Sequence, residues 1–147
     1  MTSIPVDTDI QKDDEANLRE VQSTYNRIAP LYDLLDAVYE RSWKSKLRAE
    51  LFARAGGKLL DVGVGTGCNM PFYPKSADVV GIDASRSMLA RARKRAQKLG
   101  VDIDLREMNL LNLNFDDGQF DTVVATFVLL CLPEELQRPA LIELGRV

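Results

Sequence analysis

Histidine is absent from the sequence. That removes the side chain that ordinarily serves as a base near neutral pH and the commonest nitrogen ligand for a metal. Cysteine is scarce: Cys68 and Cys131 form no C-x-x-C pair. Without histidine they complete no zinc set, so no metal site is expected, and both are read as reduced thiols of an intracellular protein. No apolar run reaches the roughly 18 residues that a membrane span needs, and no secretory leader opens the chain. The expected location is therefore cytoplasmic. An excess of positive charge is also lacking. The net charge of −3 and the isoelectric point near 5.0 leave no basic field to draw the protein onto nucleic acid, which is not an expected partner.

What is present has the balance of one folded domain, with 46% hydrophobic and 28% charged residues in 147. Residues 1–16 carry Asp7, Asp9, Asp13, Asp14 and Glu15 with few large apolar groups, and are expected to form a disordered acidic tail. Residues 17–57 form an amino-terminal helical unit, with helices expected over 18–28, 31–38 and 41–54. Pro30 separates the first two and Gly56-Gly57 stops the third, which sets Trp43, Leu47 and Leu51 on one stripe.

From residue 58 to 147 the pattern changes to short apolar runs. Strands are expected at Leu59-Leu60-Asp61-Val62 and over 77–83, 101–105 and 120–125. The clearest helix spans 86–99, with Leu89, Ala92, Ala96 and Leu99 inward, Arg91, Lys94, Arg95 and Lys98 outward, and Gly100 as its stop. A last helix starts at Pro133 and still runs at Val147. Strands alternating with helices imply an α/β fold: a Rossmann-like parallel sheet with right-handed crossovers.

Two motifs carry chemistry. Asp61-Val62-Gly63-Val64-Gly65-Thr66-Gly67 is a glycine-rich turn directly after a buried strand, where a nucleotide-like ligand sits in such sheets. Taken alone, it is equally an ordinary strand-to-helix turn. In Val79-Val80-Gly81-Ile82-Asp83, the acid lies 20 residues beyond Gly63. A carboxylate there can accept from both hydroxyls of a ribose, or else cap the helix that begins near Ser85. A dinucleotide turn wants G-x-G-x-x-G/A, but that last position holds Cys68 and the third glycine comes one residue early, at Gly67. The turn also carries no basic residue to meet a pyrophosphate. A nicotinamide-dependent oxidoreductase is thereby disfavoured.

The pattern acidic-x-Gly-x-Gly-x-Gly resembles the first motif of class I S-adenosylmethionine-dependent methyltransferases. The resemblance extends from about Tyr25 to Val147. It implies that Asp61 helps position the methionine end of S-adenosylmethionine, with the backbone from Gly63 through Gly65 to Gly67 against it. Asp83 would clamp the ribose. Ala84, Ser85 and Met88 resemble the family's D-x-S-x-x-M run, where Met88 would cover the adenine or simply pack its helix. In Glu107-Met108-Asn109-Leu110, Asn109 stands where the family has aspartate, so its amide oxygen would accept from the adenine amino group without charge, beside Leu110. Phe115-Asp116-Asp117-Gly118-Gln119-Phe120-Asp121 closely resembles the loop entering the fourth strand.

Tyr25-Asn26-Arg27-Ile28-Ala29-Pro30-Leu31-Tyr32-Asp33 resembles the lid of the ubiquinone/menaquinone-biosynthesis methyltransferases and the related phosphatidylethanolamine N-methyltransferases. That makes Tyr25 and Tyr32 candidates to approach the cofactor, or aromatic packing residues. The run from Asp61 through Cys68-Asn69-Met70-Pro71-Phe72-Tyr73 looks more like the phospholipid branch. The implied acceptor is a phospholipid amine or a quinone-precursor ring. Peripheral membrane contact would run through Arg41, Lys44, Lys46 and Arg48 beside Trp43, or through Arg91, Lys94, Arg95 and Lys98, if these are not plain solvated surface. No catalytic base is assigned. The family's fold has seven strands, so the sequence reads as truncated after the fourth, and an open edge there invites self-association. A non-catalytic cofactor-binding or interaction module is the alternative function.

Overall fold

The computed structural model describes residues 43–147. The expected acidic tail, the first two helices, and Tyr25 and Tyr32 lie outside the described residues. Four strands, β1 (Lys58–Val62), β2 (Asp78–Asp83), β3 (Asp104–Glu107) and β4 (Thr122–Ala125), form one sheet in the order β3-β2-β1-β4. Every neighbouring pair is parallel. The two central strands are near-continuous apolar runs because helices cover both of their faces. On one face Leu60, Val62, Val80 and Ile82 pack with Leu144 of α3 (Glu134–Arg146). On the other, Leu59, Val79 and Val124 pack with Phe52 of α1 (Ser45–Phe52), and Val64 packs with Leu89, Ala92 and Ala96 of α2 (Arg86–Leu99). This is the architecture of the class I methyltransferase fold as far as its first four strands. Among the described residues no helix is long and apolar enough to cross a membrane.

The α2 helix has the ends its sequence predicts. Ser85 is the N-cap, its hydroxyl accepting from the Met88 amide at 3.2 Å, and Gly100 closes the helix in the left-handed region at φ 65°. Leu99, expected inward, is instead 46% exposed. After Gly100 the chain reverses, the Val101 amide bonds to the Ala96 carbonyl at 3.0 Å, and Val101 packs against the cluster in its stead. Replacing Ser85 with alanine is expected to cost about 1 kcal/mol, measured as a lower denaturant midpoint with an unchanged slope.

Three further expectations are corrected. The third helix ends at Phe52 rather than at 54; its stripe of Trp43, Leu47 and Leu51 is exposed, while Arg48 and Phe52 form the buried face of α1. Arg48 is admitted there because polar partners meet it, as described below. The third strand runs 104–107 rather than 101–105: Val101 and Ile103 are half-buried against the α2 side before pairing starts. The fourth begins at Thr122 rather than at 120, because the Phe120 amide bonds to the Val147 carbonyl at 2.8 Å. Phe120 itself stacks edge-on against Phe115, 4.9 Å between centroids. The loop 115–121 thus lies at the amino ends of the strands, where Asp121 accepts from the Lys58 amide at 2.8 Å.

Candidate cofactor site

β2 and β3 lie on one side of β1 and β4 on the other, so the strand order reverses between β1 and β4. Crevices of open α/β sheets form at this switch point. The glycine turn after β1 and the segment Thr126-Phe127-Val128 after β4 meet there. Gly63, Gly65 and Gly67 all have positive φ, at 69°, 56° and 86°. At Gly63 the reason is close approach, since a Cβ there would lie 2.5 Å from a Val128 methyl. At Gly65 it is not: among the described residues a Cβ would meet nothing nearer than 3.8 Å, so none of them covers that backbone. Phe127, at φ 61°, is the one non-glycine residue with positive φ among those described. An aromatic held in this region is strained, as residues at functional clefts often are.

The glycine turn is fastened to β2 by Asp83. One carboxylate oxygen accepts from the Gly65 amide at 2.9 Å, the other from the Ser85 amide at 2.8 Å. Asp83 therefore does not take the cap position, which belongs to Ser85. Two of its roughly four lone-pair sites are used, and two remain for hydroxyl donors. Burial pushes its pKa up, against the lowering effect of the Ser85 and Gly65 amides. Ala84 is exposed beside it, while Met88 is 3% exposed, the burial of a helix-packing residue. Across the β2–β3 register Asp83 pairs with Glu107, and its carbonyl accepts from the Met108 amide. This brings Asn109 and Leu110 to the same end of the sheet. Asn109 is exposed, and its amide oxygen accepts from the Leu111 amide at 2.9 Å. Sequence reasoning missed this turn bond, which takes one of that oxygen's two lone pairs.

Asp61 is fully buried. Its carboxylate accepts from Asn69 Nδ2 at 2.9 Å on each oxygen, and from the Tyr73 hydroxyl. Asn69 also donates to Thr126 Oγ1 at 2.9 Å and accepts from Arg48 Nε at 2.7 Å. Arg48 thus faces the network and not a basic outer surface, and its guanidinium lies 5.3 Å from the Phe127 ring centroid. Arg95, expected outward, is half-buried and donates to Cys68. Burial pushes the Asp61 carboxyl up to about 6, with Tyr73, Asn69 and Arg48 opposing. Tyr73 is pushed above the ordinary phenol value by burial and by Asp61, so it stays a donor.

Because the folded chain holds the Asp61 proton more tightly than the unfolded chain, this group favours folding most below pH 4. That contribution is lost as pH rises toward 6, and amounts to about 3 kcal/mol at 1.36 kcal/mol per pH unit. The Asp61→Asn variant, compared with the parent by denaturant unfolding between pH 4 and 7, is expected to lose this downward slope. Parallel profiles would show that Asp61 ionises in the folded state as it does in the unfolded one.

No α-helix follows the glycine turn: the chain passes through a short 3-10 turn, Met70–Phe72, held by Pro71. A pyrophosphate normally rests on the amino terminus of a helix at this point, so the fold withholds the main device for binding a dinucleotide. Fold and site together define a class I methyltransferase-like domain. The methyltransferase domain family model matches residues 59–147, and the chain belongs to that family. It is 41% identical to a phosphatidylethanolamine N-methyltransferase of Cereibacter sphaeroides, over 80% of this chain and 58% of that protein. It is 33% identical to a demethylmenaquinone methyltransferase of Thermus thermophilus, over 70% of this chain and 50% of that one. Among solved structures, the cyclase SpnF superposes with a TM-score of 0.70 at 27% identity, covering 86% of this chain and 55% of that chain. The chain spans about half the length of the curated relatives it matches.

Proposed function

We propose that this chain binds S-adenosylmethionine across the carboxyl ends of β1 and β2 and belongs to an enzyme that methylates a phospholipid amine or a quinone-precursor ring. The observation that carries the reading is the Asp83 carboxylate, pinned to the Gly65 amide with two acceptor sites left beside an open glycine backbone. In this reading Asp83 takes the ribose diol and Asn109, with its remaining lone pair, the adenine amino group. Ala84 and Leu110 border the base, with Met88 packed behind them in its helix, and the backbone of Gly63, Gly65 and Gly67 lies along the thioether. Asp61 acts on the methionine end; Tyr25 and Tyr32 are assigned to a lid within residues 17–57. The donor set fits the cofactor: it offers hydroxyl acceptors and open backbone, with no cation in the turn.

The bound cofactor supplies an electrophilic methyl on its sulfonium. What remains for the protein is to align the acceptor and exclude water. The amine branch is favoured by the higher identity to the phosphatidylethanolamine N-methyltransferase. Peripheral contact with lipid is supported by exposed Trp43, Leu47 and Leu51 near Lys44 and Lys46. Self-association through β4 is supported by its pairing with β1 alone among the described strands.

Calorimetric titration with S-adenosylhomocysteine, with the nicotinamide dinucleotide as competitor, tests the cofactor. Saturable binding that the dinucleotide does not displace is expected, and its absence from a folded, monodisperse sample would overturn the reading. Turnover on vesicles containing phosphatidylethanolamine then separates an active enzyme from a non-catalytic cofactor-binding module.

A further inference from the structure

The buried amide of Asn69 ties together three parts of the chain that sequence holds far apart. It accepts from Arg48 of α1, donates to both oxygens of Asp61 at the end of β1, and exchanges bonds with the Thr126 hydroxyl after β4, at 2.9 and 3.3 Å. The residue is 2% exposed, so each of these bonds stands in for lost water, and losing one leaves a buried group unsatisfied. The Asn69–Thr126 pair also spans the switch point itself, joining the segment after β1 to the segment after β4.

Its place relative to the ligand follows from the strand order. With the ribose at Asp83 on β2, the adenine lies toward Asn109 beyond β3. The other end of the cofactor must then run back over β1 toward β4, above Asp61 and Asn69. We propose that Asn69 is a positioning residue for the amino-acid end of the cofactor: by clasping Asp61 to Thr126 it fixes the end of β1 and the β4 segment in the arrangement that end requires. The inference rests on the cofactor reading given above. It assigns Asn69 no contact with the reacting atoms. Asp61, fully buried and enclosed by Asn69 and Tyr73, acts on that end without touching it.

A merely structural role and a positioning role differ in which ligand they affect. S-adenosylhomocysteine and 5′-methylthioadenosine share the nucleoside thioether, but the second lacks the amino acid. Their affinities would be measured by competition calorimetry on the parent chain, Asn69→Ala, Thr126→Val and Thr126→Ser. Asn69→Ala is expected to weaken S-adenosylhomocysteine at least about 10-fold, the effect of roughly one charge-assisted bond, and methylthioadenosine less than about 2-fold. Thr126→Val, which keeps the shape and loses the hydroxyl, is expected to show the same selectivity at about 3-fold, and Thr126→Ser to restore the parent value. If Asn69→Ala fails to fold, the Thr126 pair decides. Equal losses for both ligands, or no loss for either, would overturn the positioning role. Failure of the parent chain to bind either ligand would instead overturn the cofactor reading, and this inference with it.

Discussion

The Asp83→Ala variant is expected to bind S-adenosylhomocysteine roughly 10²- to 10⁴-fold more weakly than the parent chain while remaining folded. Two hydroxyl donors would meet the lone pairs that Gly65 and Ser85 leave open, and a hydrogen bond to a charged acceptor is worth about 1.5–3 kcal/mol. The fold is less exposed to the change. The two amides lose their acceptor, at about 1–3 kcal/mol each if neither finds water, but a carboxylate held against desolvation is removed with it. Asp78 offers the control: it is an exposed carboxylate at the start of the same strand, and Asp78→Ala should leave affinity unchanged. Because ionised Asp83 is the form that accepts from a diol, affinity should also fall as pH drops through its raised pKa, and the variant should lose that dependence. Equal affinities of parent and variant would remove Asp83 from the site.

The placement of Asp83 beside the glycine turn was legible in the sequence for a physical reason: an acid closing the apolar run Val79-Val80-Gly81-Ile82, one strand beyond a glycine turn, comes to the same end of a parallel sheet. The same is true of β1 and β2, whose runs Leu59-Leu60 and Val79-Val80 are apolar on both faces. The network around Asp61 was not legible. Asn69 reaches Arg48 across 21 residues and Thr126 across 57, and no local pattern encodes such a meeting. One signal was available. A buried acid needs donors, and Asn69 and Tyr73 are polar residues set within the short apolar stretch that follows the turn. The buried face of α1 was not legible either, since its apolar stripe of Trp43, Leu47 and Leu51 is the exposed one. Periodicity reports which face is apolar, and α1 buries Arg48 because the guanidinium finds an amide oxygen and an aromatic ring there.

Gly63 and Gly65 allow the turn's structural and ligand-facing roles to be separated. Alanine at either position must adopt positive φ, at 69° and 56° respectively, a strain of about 1–2 kcal/mol that the two variants share. They differ in what the new methyl meets. At Gly63 it lies 2.5 and 2.6 Å from Val128 carbons, so the β4 segment must move, and overpacking adds about 1–3 kcal/mol. Gly63→Ala is therefore expected to lose about 2–5 kcal/mol of stability, a large share of the roughly 5–15 kcal/mol typical of a domain. At Gly65 the methyl meets, among the described residues, only a carbonyl oxygen at 3.8 Å, so Gly65→Ala should lose the strain alone. Its cost falls on the ligand, because the methyl occupies the approach to the backbone and disturbs the amide that Asp83 holds. An affinity for S-adenosylhomocysteine at least about 10-fold weaker is expected, with a stability loss limited to that strain of about 1–2 kcal/mol. Thermal unfolding and calorimetry on the same two samples decide the matter. If Gly65→Ala binds like the parent, the ligand does not lie along this turn; if Gly63→Ala is as stable as Gly65→Ala, the close approach of Val128 does not require glycine there.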